Sequence, residues 1–262
     1  MEIIGYFAAI LIGLSLGLVG GGGSILTVPI LIYFFNIETS LATTYSLFVV
    51  GITSAVGSVT HFRQKNIHLK IAFIFGLPSV IAVFLMRIFV MPAIPNHIYS
   101  FGNWELTKSV LLMLVFSILM ILAAISMIKT KRQTNISTAE NCACRPLIIQ
   151  GLLVGIITGF VGVGGGFLII PSLVLLAKMP MKKAIGTSLL IMTFSSLLGV
   201  TGDLLDHVNI NYLFLSWFSF LAIAGIITGS YLTKYIDESK LKPAFGYFVL
   251  TIGVVILITE FL

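Results

Sequence analysis

Residues Gly17–Leu31 read G-L-V-G-G-G-G-S-I-L-T-V-P-I-L, and residues Gly159–Leu173 read G-F-V-G-V-G-G-G-F-L-I-I-P-S-L. The second copy follows the first at an offset of 142 residues, and eight of the fifteen positions are identical. Each glycine costs about 1 kcal/mol against alanine inside a helix, so a run of glycines in an apolar segment breaks the helix. In lipid, the freed backbone groups need partners within the protein. Two matched breaks therefore predict a binding site near the middle of the membrane, where they meet.

The composition predicts a polytopic membrane protein. Of the 262 residues, 58% are hydrophobic and 9% are charged, and the mean hydropathy is +1.12. Soluble domains carry about 25% charged residues. Apolar segments fill the chain and leave no room for a soluble domain. The net charge of +6 is explained by basic loops on one membrane face, and no nucleic-acid partner is expected.

The apolar segments follow the same plan in both halves. The segments flanking the first break would each reach roughly 22 Å as helices, short of the ~30 Å hydrocarbon core, which predicts half-length helices in a hairpin. Ordinary tilted helices joined by a glycine-rich turn are the alternative. The predicted segments are 3–17, 24–36, 40–60, 71–91 and 108–128 in the first half, and 147–161, 167–177, 184–202, 211–233 and 244–262 in the second.

The basic residues predict the orientation of these segments. Thirteen of the fifteen Lys and Arg residues lie in four loops, 61–70, 129–146, 178–183 and 234–243, which are expected in the cytoplasm. Loops 36–40, 92–107 (a polar loop) and 203–210 are expected outside. Each hairpin must then enter and leave on one face, which gives the two halves opposite orientations.

The predicted fold class is therefore an all-α polytopic membrane protein with two inverted-topology repeats. Each repeat comprises a glycine-broken helical hairpin and three membrane-spanning helices. The repeats cover 1–128 and 147–262, and 129–146 forms a cytoplasmic linker. The repeat register continues beyond the glycines, with Ser46 matching Ser188 and Ser54 matching Ser196.

The glycine breaks and nearby hydroxyls are the candidate binding groups. Backbone N–H groups at a helix N-terminus, approached through glycine, can cradle an anion. Close helix packing is the alternative role for the glycines. The hydroxyls either donate to an oxyanion or bond the preceding helical turn. The predicted substrate-binding residues are Gly20, Gly21, Gly22, Gly23, Ser24, Thr44, Ser46, Gly162, Gly164, Gly165, Gly166, Thr187 and Ser188.

Ionisable residues within the predicted spans are few. Arg87 lies near a span end, where its side chain either extends to the membrane interface or binds substrate. Span ends also hold His61, Asp203, Asp206 and His207; they are expected to be solvated, with proton coupling as the alternative. Pro29 and Pro171 are expected to kink the helices that follow the breaks.

No catalytic, cofactor-binding or metal-binding residues are predicted. The run G-G-G-G-S lacks the Lys of a phosphate-binding loop, and the chain has neither a zinc motif nor a nucleophile elbow. Cys142 and Cys144 lie in a polar loop without a partner His or a second Cys pair, which favours an inert loop over a metal or redox site.

The chain resembles the TauE/SafE sulfite-exporter family of bacterial membrane proteins. The resemblance rests on G-G-G-G-S-I-L-T-V-P and G-V-G-G-G-F-L-I-I-P, followed by A-T-T-Y-S-L and A-I-G-T-S-L, and covers nearly the whole chain. It implies a multi-pass carrier of the bacterial plasma membrane for sulfite, sulfoacetate or a related organosulfur oxyanion. An energy-coupling proton or other ion is a further expected partner, alongside the bilayer. An anion channel, and a sulfur-relay or redox protein using Cys142 and Cys144, are the alternatives.

Charge counting makes the topology testable. In a variant without Cys142 and Cys144, single cysteines placed in loops 61–70, 129–146, 178–183 and 234–243 should resist membrane-impermeant thiol reagents in intact cells. Cysteines at both termini should react, because three full spans and one hairpin per half leave both ends outside. A cytoplasmic C-terminus would show that the spans of the second half are miscounted.

Overall fold

The computed structural model describes residues 2–95, 97–101, 104–129, 144–162, 164–175, 177–204, 211–233, 235 and 238–261. Most of the predicted linker lies outside these residues, as do Cys142, Asp206 and His207. The division into repeats at 1–128 and 147–262 stays a prediction.

The chain forms eleven helical segments and two strands within the described residues. These are α1 (Glu2–Val19), α2 (Gly22–Phe35), α3 (Thr39–Arg63), α4 (Leu69–Leu85), α5 (Met91–Ala93), β1 (His97–Phe101), β2 (Trp104–Thr107), α6 (Lys108–Lys129), α7 (Cys144–Val161), α8 (Gly166–Leu175), α9 (Met181–Leu204), α10 (Tyr212–Leu232) and α11 (Glu238–Phe261). A π-helical turn, Met86–Val90, joins α4 to α5.

Several helices are long enough to cross a bilayer, which confirms a helical multi-pass membrane protein. Thr39–Arg63, Leu69–Ala93, Met181–Asp203 and Tyr212–Leu232 combine sufficient length with high hydropathy. Helices α6 and α11, with 22 and 24 residues, also exceed the ~30 Å core at 1.5 Å per residue. Helices α2 and α8 are shorter, with 14 and 10 residues.

Helices α1 and α2 form an antiparallel hairpin, as the first glycine break predicts. Gly5, near the start of α1, lies against Phe35 at the end of α2, and Gly23 lies against Leu16. The rings of Tyr6 and Phe35 meet edge to face with their centroids 5.4 Å apart. The hairpin therefore enters and leaves on one side of the molecule.

Helices α3 and α9 form the centre of the bundle. In the most apolar stretch of α3, and likewise of α9, 72% of the residues are buried. The corresponding share is 33% for α4 continued through the π turn and α5, and 44% for α10. The two helices run antiparallel, since Leu47 packs on Gly199 and His61 on Gly186. Near their midpoints, the hydroxyls of Thr193 and Ser54 are hydrogen-bonded at 3.2 Å.

The outer helices pack in matching pairs. Helix α1 packs along α10, and its counterpart α7 packs along α4. Helix α10 also contacts α3, and α4 correspondingly contacts α9. Helices α6 and α11 pack on each other. Glycines permit the close approach of the α1 and α10 backbones: a Cβ at Gly13 would strike the Ala222 carbonyl, and one at Gly17 would lie 2.5 Å from the Ser230 nitrogen.

The segment predicted as a polar loop, 92–107, contains a β-hairpin. Strands β1 and β2 pair antiparallel, with Ser100 opposite Glu105. The Lys108 ammonium, just after β2, donates to the Met91 carbonyl at 2.6 Å. In the sequence, Gly102-Asn103 stands between Phe101 and Trp104, a dipeptide pattern typical of β-hairpins that the prediction of a loop did not use.

The α1–α10 contact can be tested with matched alanines. Gly17→Ala should lower the thermal stability of the purified protein, because its Cβ meets backbone atoms of α10 and overpacking costs about 1–3 kcal/mol. Gly76→Ala is the control: its Cβ meets the Ile191 side chain at 3.1 Å, which can shift, so stability should hold or rise. Equal melting temperatures for the two variants would contradict this account of the packing.

Candidate functional site

The two glycine breaks differ in length, but the first glycine of each has the same left-handed backbone conformation. Gly20 and Gly21 separate α1 from α2, and Gly20 has a φ of +79°. The second break runs from Gly162, with a φ of +75°, to the start of α8, and includes two further positive-φ glycines, Gly164 and Gly165. Glycine adopts this left-handed region at little cost.

The two breaks meet near the middle of the bundle. A Cβ at Gly166 would lie 2.5 Å from the Cα of Gly21, so the backbones touch there. Gly164 lies against Val50 and Gly166 against Met192, near the midpoints of α3 and α9. Gly21 and Gly166 thus have a packing role, whether or not they also bind a ligand.

The first glycine of each break faces an equivalent position in the opposite half. Gly20 lies against Ile185 of α9, and Gly162 against Thr43 of α3. Thr43 and Ile185 are themselves 142 residues apart. Gly162 additionally faces the Nη2 atom of Arg87. The backbone geometry is therefore repeated, whereas the side chains around it differ.

Arg87 lies in the π-helical turn and is only 2% exposed, so the expectation that it extends to the interface is wrong. Its Nη1 donates to Asp203 Oδ2 at 3.0 Å and Oδ1 at 3.2 Å, and to Thr43 Oγ1 at 3.3 Å. Thr44 Oγ1 donates to the same Asp203 Oδ2 at 2.7 Å. Pro92 has no N–H for the Ile88 carbonyl, which favours a π turn here.

The remaining edge of the Arg87 guanidinium is buried and unused. Neither Nε nor Nη2 has a hydrogen-bond partner among the described residues. Nη2 is the atom that a Cβ at Gly162 would strike. The absence of a side chain at Gly162 therefore leaves this edge of a cation open towards the second break.

Buried hydroxyls without partners in the described structure lie along the same break. Thr158 Oγ1 is beside Gly165, and Ser196 Oγ would lie 2.8 Å from a Cβ at Gly164. Ser196 matches Ser54 in the sequence repeat, whereas Thr158 carries no signal beyond its place before Gly159. The second break thus combines a buried cation with two free hydroxyl donors.

Most of the predicted hydroxyls form hydrogen bonds within the protein, and one does not. Ser24 and Ser188 donate to carbonyls one turn earlier, Gly21 at 2.7 Å and Ile185 at 2.8 Å. Thr187 Oγ1 accepts from the His68 amide at 3.0 Å. Ser46 Oγ is buried with no partner in the part of the chain described.

His61 and Asp203 do not lie at solvated helix ends, so that prediction is wrong. His61 is fully buried and Asp203 is 6% exposed. They occupy equivalent positions, 142 residues apart, near the C-terminal ends of α3 and α9. Because these helices pack antiparallel, each end is covered by the beginning of the other helix.

Comparison with known proteins identifies the family. The family model for the sulfite exporter TauE/SafE matches residues 6–256. The chain belongs to this family. TauE/SafE relatives include a "Probable membrane transporter protein" of Xylella fastidiosa, 28% identical over 253 residues, 94% of this chain and 91% of the relative. A second "Probable membrane transporter protein", from Methanocaldococcus jannaschii, is 30% identical over 211 residues, 77% of this chain and 72% of the relative. No solved structure matches.

The described residues include no group of three or more His, Cys, Asp or Glu suited to a metal ion. Cys144 begins α7. Pro29 and Pro171 lie within α2 and α8, where the predicted kinks remain predictions.

The ion pair of this TauE/SafE protein makes a testable stability prediction. Arg87→Met should lower the free energy of unfolding by roughly 3–5 kcal/mol, because it leaves the buried Asp203 carboxylate without its cation. Arg87→Met combined with Asp203→Leu should recover most of that loss. Thermal melting of purified protein measures both. Strictly additive losses from the two single variants would contradict a coupled buried pair.

Proposed function

We propose that this TauE/SafE transporter is a secondary carrier of a small oxyanion: sulfite, sulfoacetate or a related organosulfur anion. The observation that carries the proposal is the open, buried edge of Arg87 beside Gly162, the first glycine of the second break. In a membrane protein, a buried ionisable residue facing the bundle interior marks a substrate pathway.

The residues at the second break suit an oxyanion. A guanidinium offers parallel N–H donors, and charge-assisted bonds of this kind are about twice as strong as neutral ones. Backbone N–H groups at the start of α8 add positive potential. Thr158 and Ser196 supply hydroxyl donors to further oxygens of a sulfite or sulfonate group. The predicted glycines would serve mainly to let the anion approach.

Alternating access between inverted repeats is the mechanism we propose. Helices α3 and α9 are equivalent in sequence register and run antiparallel, which supports opposite orientations of the two halves. The matching outer pairs, α1 with α10 and α7 with α4, each join one helix from either half, and they support two bodies built on one plan from the interleaved repeats. Rocking of these bodies about the central pair would expose the site to each side in turn. The sequence has no ATP-binding loop, so an ion gradient is the proposed energy source.

Purified protein in liposomes should take up labelled sulfite or sulfoacetate with saturable kinetics. Unlabelled substrate inside should accelerate uptake from outside, because a carrier exchanges substrate and a channel does not. Absence of flux across a panel of sulfur oxyanions would overturn the substrate assignment, and flux without counterflow would favour a channel. Unchanged flux in Cys142→Ser/Cys144→Ser protein would exclude a sulfur relay through these thiols.

Two matched alanines test the location of the site within that assay. Gly20→Ala and Gly162→Ala impose the same positive-φ strain, about 1–2 kcal/mol. Gly162→Ala alone strikes Arg87, so it should lower substrate affinity by about tenfold or more, since a hydrogen bond to a charged group contributes about 1.5–3 kcal/mol. Similar affinities in the two variants would remove Arg87 and Gly162 from the site.

A further inference from the structure

The buried charges at the second break sum to zero before any ligand arrives. The positive Arg87 guanidinium is paired with the negative Asp203 carboxylate, with side chains 2% and 8% exposed. Binding of a monovalent anion, which rests on the function proposed above, would leave one uncompensated negative charge at this depth. Burying an unpaired charge is strongly unfavourable.

Among the described residues, Arg87 is the cation in ion-pair contact with Asp203. The Lys108 ammonium, near the neighbouring turn, donates to the Met91 carbonyl. Of the elements packed on α9, α3 presents the Thr44 hydroxyl to the carboxylate, and the π turn presents Arg87. Helix α8 contains no charged residue. The other titratable groups on α3, α4 and α9 have other partners or positions. The Tyr45 hydroxyl accepts from the Asn211 amide. The remaining groups lie near the far end of the α3–α9 pair: His61, Arg63, Lys70, Lys182 and Lys183.

We infer that Asp203 takes up one proton when an anion binds the open edge of Arg87. The proton comes from water on the side to which the site is exposed, and no bond other than this O–H bond forms or breaks. A neutral Asp203 leaves the full charge of Arg87 to the anion, so the loaded site again sums to zero. One proton is therefore carried with each monovalent anion, and the proton gradient drives transport.

The charge arrangement belongs to the second break only, within the residues described. The position equivalent to Arg87 is Gly229, and the position equivalent to Thr43 is Ile185. Asp203 itself corresponds to His61, which packs on Gly186. The repeated backbone thus supports one anion–proton site per chain, and His61 offers a matched control at the equivalent position.

Proton uptake on binding tests this inference without requiring transport. The probe is methanesulfonate, which keeps one negative charge throughout the working pH range. Calorimetry in two buffers of different ionisation enthalpy should give about one proton taken up per anion, and the affinity should fall about tenfold per pH unit where Asp203 is ionised in the free protein. Asp203→Asn should bind methanesulfonate with no proton uptake and no pH dependence. His61→Gln should behave as the wild type, and Arg87→Gln should not bind, with thermal melting confirming that each variant is folded.

Several results would overturn the inference: wild-type binding without proton uptake, unchanged uptake in Asp203→Asn, loss of uptake in His61→Gln, unchanged affinity in Arg87→Gln, or no binding of methanesulfonate at all. The same proteins in liposomes separate this inference from the proposed function. Proton-linked binding without anion flux would remove the transporter mechanism and leave the site. Anion flux with wild-type proton coupling in Asp203→Asn would leave the transporter and remove the role of Asp203.

Discussion

Hydrocarbon offers no hydrogen bonds to a broken helix, and this constraint governs the arrangement of the whole bundle. Each glycine break exposes backbone groups that must be enclosed by other helices. The antiparallel pair α3 and α9 provides that enclosure, and their midpoints lie against Gly164 and Gly166 of the second break. The two breaks also enclose each other where Gly21 meets Gly166. The outer helices then complete the bundle around this centre.

The sequence was sufficient to predict most of the helices, but not the β-hairpin or the side-chain contacts. Helix breaks follow from glycine and spans from hydropathy, so a span predicted at 40–60 is observed at Thr39–Arg63. The contact between Arg87 and Asp203 joins residues 116 positions apart and depends on how α3, α9 and the π turn cross. Distance from a span end gives the depth of a residue in the membrane, but it does not give the direction in which the residue faces. For that reason Arg87 and Asp203 were expected at polar boundaries.

The internal repeat specifies a backbone frame and leaves the chemistry free to differ between halves. Gly20 and Gly162 share a positive φ and face equivalent residues, yet one neighbour is Ile185 and the other Thr43. A packing role alone would allow apolar neighbours at both breaks. The polar side chains collected at the second break therefore support the binding role proposed above over a purely architectural one.

The energetics of the buried pair point the same way. A buried ion pair is often no more stabilising than apolar residues of the same volume, so stability does not explain Arg87 and Asp203. Their geometry is also incomplete as a structural pair, because a single nitrogen of Arg87 makes all its bonds to Asp203 and Thr43. A guanidinium used only for stability would be expected to direct more of its five N–H groups to protein acceptors. Gly162 keeps the unused edge clear, since any Cβ there would strike Nη2. The lack of a side chain at Gly162 and the unpaired Nε and Nη2 donors of Arg87 thus belong to one arrangement. Asp203 holds the guanidinium in place, and the opposite edge stays open on the side where a ligand would arrive.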